Sequence, residues 1–465
     1  MTPGMAVHTM LIDRLTLFPV GAVRVQRVWG NSGLRWLFVG QLASQFGSAF
    51  FLIAGLWIVE EAATTWLGAA GVAIIGAVLL ASLLGAARLH HRMGAGRVAL
   101  ASQIGPNVGV LVGLLLLAAH PGWGVGIVVA CLGFTAMGAA LFGSASGALL
   151  STLPEGQGLR AVPGTGGMET LAAATAMVAG CVAGGVGAAN LGAAAVFGIA
   201  AAVFGFGTVA VLMMTARGSR AAEDLAARPP VARTSSWAVW RSNQGIRRLG
   251  PWIWAVNLLS AAALILLPYR VEHGLGAGAL WYGVLVSVGA AGMVAGRLLA
   301  RRVGRRPQPS AVISVSLVEA LMCGGIAATH DLPLLALCFL AAGAANGFVN
   351  TLILEALRQR IPVFHRGAVL EALDRAGAAV SFLGVGVAAI CVRVLPDSAW
   401  FAALAMSLVA MGWVYRRELS ARGTSPASTG WGGVEAVRKP VAAGYTMRGP
   451  RQQERDRYLA TLRAF

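Results

Sequence analysis

Charge is scarce in this chain. Only 12% of its 465 residues are Asp, Glu, Lys or Arg, against about 25% in soluble domains. A soluble fold of this length needs a polar surface, and this composition cannot supply one. The 57% share of hydrophobic residues and the mean hydropathy of +0.72 agree. A cytosolic enzyme, a secreted disulfide scaffold and a disordered chain are thereby excluded. A polytopic membrane protein remains.

Lysine is nearly absent, with Lys439 against 35 arginines. Acidic residues are few, so the net charge is +18. On a soluble protein that excess would suggest nucleic acid. Here the arginines sit in short segments between apolar runs, where they act as topological signals, and no nucleic-acid partner is expected. Cysteine is also sparse. Cys131, Cys181, Cys323, Cys338 and Cys391 lie far apart inside apolar segments, with neither metal-ligand nor disulfide spacing. They read as small buried apolar residues. The pattern GxxxxGK[ST] is missing, so ATP is not expected to drive the protein directly. His90 and His91 have no third ligand at useful spacing, and no nucleophile–base set appears. No enzyme activity, metal or cofactor is expected.

Long apolar runs are what the chain does have. A spanning helix needs about 20 mostly apolar residues. Twelve segments qualify: 36–59, 66–88, 98–119, 122–148, 168–189, 191–215, 251–270, 279–299, 309–329, 332–356, 368–392 and 397–415. The fold class expected is all-α, with twelve transmembrane helices. The 62 glycines are spread through these segments. In lipid they let helices approach closely, because association there depends on packing.

Arginine placement predicts the orientation. Arg88, Arg92 and Arg97 follow span 2, seven arginines lie in 217–248, and five lie in 297–306. The alternate loops near 60–65, 120, 190 and 330 hold no Lys or Arg, with Arg270 and Arg393 as exceptions at helix ends. Both termini and the basic loops are therefore expected in the cytoplasm, with the protein in the cell's inner (plasma) membrane. Tryptophans such as Trp57, Trp123, Trp281 and Trp413 fall at predicted helix ends, where an amphipathic ring prefers the interface. Residues 1–35 carry Arg14, Arg24, Arg27 and Arg35 without a clean signal-peptide pattern, and are expected to be a cytoplasmic segment.

The stretch 217–250 is the long polar interruption between spans. It predicts two bundles, 36–216 and 251–417, joined by a cytoplasmic linker and followed by a cytoplasmic tail at 418–465. A weak repeat supports the division. GAARLHHRMGAGR (85–97) and AGRLLARRVGRR (295–306) occupy the same place in their halves. Duplicated halves around a midplane site are the logic of alternating-access carriers.

These residues, together with three longer stretches, carry a family resemblance. NSGLRWLFVGQLASQFGSAF (31–50), LPYRVEHGLGAGALWYGVLVSVGAAGMVAGRLLARRVGRR (267–306) and GAANGFVNTLILEALRQRIPVFHRGAV (343–369) resemble the major facilitator superfamily. The similarity is greatest to its drug and siderophore exporter branch, which includes the enterobactin exporter and macrolide-efflux-type proteins. It covers roughly residues 30–417. It implies a gating role for Arg92 and Arg302, through contacts between the halves at the cytoplasmic side. Being topogenic charges is the simpler reading of both. The sequence departs from the family's acidic positions, with His91 before Arg92, Arg301 before Arg302, and Ser48 in span 1. Gly180-Cys181 stands where span 5 usually has Gly-Pro.

The resemblance implies a pathway lined by spans 1, 4, 7 and 10. In span 1, Gln41, Ser44, Gln45 and Ser48 share a helical face, and Gln45 lies about 15 Å along the helix from Arg35. In span 7, Trp254, Asn257 and Ser260 share a face. In span 10, Asn346 and Asn350 are four residues apart. Amides are costly in hydrocarbon, so these must face protein or a wet cavity. Lining a substrate cavity and bonding neighbouring helices are the two readings. Glu319 is the one charged residue in the middle of a predicted span. A carboxyl at that depth is a candidate for proton coupling, and a structural hydrogen bond is the alternative.

The function expected is secondary active export of a small, largely apolar organic compound such as a drug, siderophore or secondary metabolite. Protons would supply the drive, and lipid would surround the protein. An uncoupled facilitator or importer, and a transporter-like sensor or scaffold, are the alternatives.

Overall fold

The structure is a computed structural model. It describes residues 32–62, 93–152, 165–226, 254–255, 257–260, 263, 266–303, 309–360, 377, 380, 384 and 396–420. Regular structure among the described residues is helical throughout: α1 Ser32–Ala62, α2 Ala95–Ala119, α3 Gly124–Thr152, α4 Thr165–Asn190, α5 Ala193–Ala226, α6 Ala279–Val303, α7 Pro309–Ala328, α8 Leu332–Arg360 and α9 Asp397–Ser420. These are predicted spans 1, 3–6, 8–10 and 12, and span 7 is present as helical residues between 254 and 269. Span 2, most of span 11, the linker beyond Ala226, the tails before Ser32 and beyond Ser420, and Arg92 lie outside the described residues.

Helix is the structure that satisfies every backbone N–H and C=O within one segment, which hydrocarbon demands. Six of the helices are long and apolar enough to cross a bilayer, including Arg35–Glu61, Ala193–Ala216 and Leu332–Leu352. Leu115, Leu321, Leu337 and Met406 each leave over half their surface uncovered by protein. In water that would be a liability. Acyl chains are the natural neighbours of such a surface.

The helix pairs repeat. In the first half α2 packs on α3 and on α5; in the second, α7 packs on α8 and on α9. Each pair recurs six spans later, as two copies of one bundle would require. α1 anchors the first half against α3, α4 and α5, with Phe51 meeting Phe197 edge-to-face at 5.1 Å. α6 anchors the second half against α8, where a Cβ on Gly296 would run into the carbonyl of Ala344.

The halves meet through α4 against α6, with α1 also touching α6. A Cβ on Gly283 would lie 2.7 Å from the Cys181 carbonyl oxygen and 2.8 Å from the Gly185 Cα. Only paired glycines permit that approach. Ser287 Oγ donates across the seam to the Val178 carbonyl at 3.1 Å, and Trp57 stacks on buried Tyr282 at 6.2 Å. All of these contacts lie toward the end of the bundle that carries Glu60, away from the end that carries Arg302.

Arg270, an exception among the Arg-poor loops, has a structural explanation. The helix before it ends in a π-turn, Arg270–Gly274. That turn buries the guanidinium, whose Nη2 donates to the carbonyls of Ala327 and Thr329 at 3.3 and 3.0 Å. Arg270 thus serves the orphan carbonyls at the C-terminal end of α7, where a cation suits the helix dipole.

Candidate functional site

Glu319 and Asn346 come from different helices and meet. Glu319 lies midway along α7 and is 5% exposed. Asn346 lies midway along α8, and its Nδ2 donates to Glu319 Oε1 at 2.8 Å. Asn350, one turn further on, donates to Asn346 Oδ1 at 2.8 Å and is exposed. The three side chains form a chain of hydrogen bonds from a buried carboxyl to an open surface. A bare carboxylate in that interior would be costly, and the amide gives it a donor in either protonation state.

The other expected site residues are distributed around the seam. Gln41 and Gln45 are partly buried in α1, and Ser48 Oγ is sealed without a hydrogen-bond partner among the described residues. By helical rotation these three occupy the sector of α1 used by neither α4, which takes Phe46 and Phe50, nor α5, which takes Gly40 and Gly47. Trp254 and Asn257 are partly buried, and the Asn257 amide faces Gly377 of span 11, whose Cβ would stand 3.8 Å away. Arg302 is exposed near the end of α6.

Two polar groups were not singled out from sequence. Gln103 of α2 is 1% exposed, and neither of its amide atoms has a partner among the described residues. It faces Gly207 of α5, where a Cβ would lie 2.9 Å from its Oε1. Pro106, on the next turn, withholds the N–H that the Ser102 carbonyl would otherwise accept. The second group gathers Glu60 of α1 with Glu272 and His273 of the π-turn, one ligand atom of each lying within 4.8 Å of the others. Oxygen and nitrogen atoms at that spacing are the donor set that could hold a cation among the described residues.

An apolar groove runs along α1 between α4 and α5. Its larger section, about 880 Å³, is lined by Phe38, Leu42, Phe46, Thr175, Val203 and Phe206 among others. A second section of about 590 Å³ shares Phe46 and Ala179 with it.

Comparison with known families decides the wider assignment. The family model described as Major Facilitator Superfamily matches residues 37–385. The chain belongs to the major facilitator superfamily. Solved members share the fold at low sequence identity. The crystal structure of the human organic anion transporter MFSD10 (TETRAN) is 16% identical with a TM-score of 0.55, covering 83% of this chain and 99% of that one. The crystal structure of a peptide transporter, POT, is 13% identical with a TM-score of 0.62, covering 84% of this chain and 94% of that one. No curated protein matches the sequence. As a member of this superfamily the chain is a multi-pass membrane transport protein, and twelve helices in two bundles are its architecture.

Proposed function

We propose that this facilitator-superfamily chain exports a small, largely apolar organic compound across the plasma membrane, driven by protons moving the other way. Both termini and the Arg302 end are cytoplasmic in this reading, and the Glu60 end is outer. The two halves rock about a midplane cavity lined by Gln41, Gln45 and Ser48 from one side and by Trp254, Asn257, Asn346 and Asn350 from the other. Arg92 and Arg302 close the cytoplasmic side. The apolar groove on α1 supports an apolar substrate, because a membrane-dissolved compound can occupy it.

The observation that carries the coupling is the hydrogen bond between Glu319 and Asn346. A carboxyl can load and release a proton, and an amide cannot. Asn346 ties the state of that carboxyl to α8, whose Asn350 reaches an open surface. Proton binding on α7 and substrate binding on α8 thereby act on one pair of helices. The test is pH-gradient-driven accumulation in everted vesicles. Glu319→Gln should abolish uphill accumulation while leaving downhill exchange. Full uphill transport by that variant would remove Glu319 from the mechanism.

A further inference from the structure

Arg35 lies in the first turn of α1 and begins the apolar span that runs to Glu61. Phe38, Leu42 and Phe46 follow it at intervals of three and four, so all four residues share one stripe of the helix. The apolar members of that stripe form the floor of the groove between α4 and α5. The walls explain the hollow. Ala172, Ala176 and Ala179 face it from α4, where larger side chains would fill it. Thr175 is the one polar residue of the lining, and it has a partner of its own. The groove therefore suits a chain without polar groups.

Its length fits one leaflet. From Arg35 to Phe46 the helix rises about 16 Å. Half of a bilayer's hydrocarbon core is about 15 Å deep. Phe46, stacked on Phe50 at 6.3 Å, marks the inner end of the larger section, near the middle of the span.

Arg35 supplies the charge at the mouth. It is partly exposed, and its Nε is sealed from water with no partner among the described residues. Other arginines are spent internally. Arg270 donates to the carbonyls of Ala327 and Thr329, and Arg417 lies over the Trp413 ring at 3.7 Å. A guanidinium at the bilayer interface, without a counter-ion among the described residues, favours an anion with two oxygens to accept its fork.

We propose that an anionic phospholipid of the leaflet at the Arg35 end is bound here, its phosphate on the Arg35 guanidinium and one acyl chain in the groove between α4 and α5. In the orientation given above this is the cytoplasmic leaflet, whose negative surface attracts basic side chains. The lipid is the resting occupant, so an apolar compound that enters the groove from the membrane must displace its chain. The chain also braces α4 from behind. That helix turns Ala176 and Ala179 to the groove, and Val178, Cys181 and Gly185 to the seam with α6. What fills the groove thus supports the helix on which the two halves meet.

The test places the full chain in nanodiscs of phosphatidylcholine containing a minor share of phosphatidylglycerol with a photoactivatable diazirine on its acyl chain. Crosslinks mapped by mass spectrometry should fall on Leu42, Ala176 and Val203 several-fold more than on Leu115 and Leu337, which are exposed on other helices. Phosphatidylcholine carrying the same diazirine should label the groove about fivefold less, the worth of one arginine at an anionic surface. Arg35→Gln should bring phosphatidylglycerol down to that level, and Arg35→Lys should keep most of the preference. Arg416→Gln, which removes an exposed arginine at the same end of the second half, should change nothing. Ala176→Phe should expel both lipids from the groove, and the labelling pattern of the unmutated protein decides occupancy if that variant fails to fold. Even labelling around the protein overturns the site. So does equal labelling by the two lipids, or a preference that survives Arg35→Gln. No transport is read, so the lipid site can stand while the export reading fails, and the reverse.

Discussion

Asn346 donates its amide N–H to Glu319 at 2.8 Å, joining two helices at the depth where neither group has a place in hydrocarbon. The bond makes each residue the reason the other is tolerated. Asn346→Leu leaves Glu319 buried without that donor, at a cost of about 1–3 kcal/mol. The variant should melt at lower temperature in detergent and transport less. Replacing both residues with Leu should restore most of the stability and none of the uphill transport. Equal melting of all three proteins would show the bond to be energetically idle.

Gly283 is a point of close contact between the halves among the described residues. A methyl group there would press on the Cys181 carbonyl and the Gly185 Cα. Gly283→Ala should disfavour closure of the Glu60 end by about 1–3 kcal/mol, the usual range for overpacking. The distance between spin labels on Gly122→Cys and His330→Cys, exposed sites on opposite halves at this end, should then shift toward a longer population. An unchanged distribution would mean that the seam has room to spare.

Gln103 carries two amide atoms without a partner among the described residues, at 1% exposure. Gln103→Leu keeps the volume and removes the unsatisfied groups. Thermal unfolding in detergent should show a variant as stable as the parent or more so, by up to about 1–3 kcal/mol. A marked loss of stability would reveal that water or another group satisfies the amide.

Much of the architecture was legible in the sequence, because hydrocarbon imposes length and apolarity on each segment. Spans such as 193–216 and 332–352 announce themselves by composition alone. Glu319 stood out as the lone carboxyl at mid-span, and Asn346 as a mid-span amide. Their pairing was not legible, since they are 27 residues apart and the rotation of α7 against α8 decides whether they face. Gln103 was passed over because the resemblance directs attention to spans 1, 4, 7 and 10, and it lies on span 3. Glu60, Glu272 and His273 were hidden for another reason. Charged residues at span ends are ordinary, and only the closing of one half on the other makes these three a cluster. Arg270 looked like a topological exception until its bonds to Ala327 and Thr329 explained it.

The orientation has its own test. Single cysteines near positions 63 and 235 should label from opposite sides of the membrane with an impermeant thiol reagent, position 235 from the cytoplasm. Labelling of both from one side would contradict the alternation of basic and Arg-free loops.

Gln45 occupies the sector of α1 that neither α4 nor α5 covers. Gln45→Leu should lower transport several-fold without lowering membrane abundance, read by immunoblot beside vesicle uptake. Unchanged transport would make this amide a packing residue.

The central claim is that substrate and protons move in opposite directions through one carrier. Everted vesicles holding an acid interior, monitored by quenching of acridine orange, test it most directly. A panel of lipophilic cations, anions and neutral compounds is added in turn. At least one compound should release the quench in vesicles carrying the protein, and not in vesicles carrying Glu319→Gln or none. If compounds accumulate without any release of the quench, or if Glu319→Gln releases it as fully as the parent, proton-coupled export through Glu319 is contradicted.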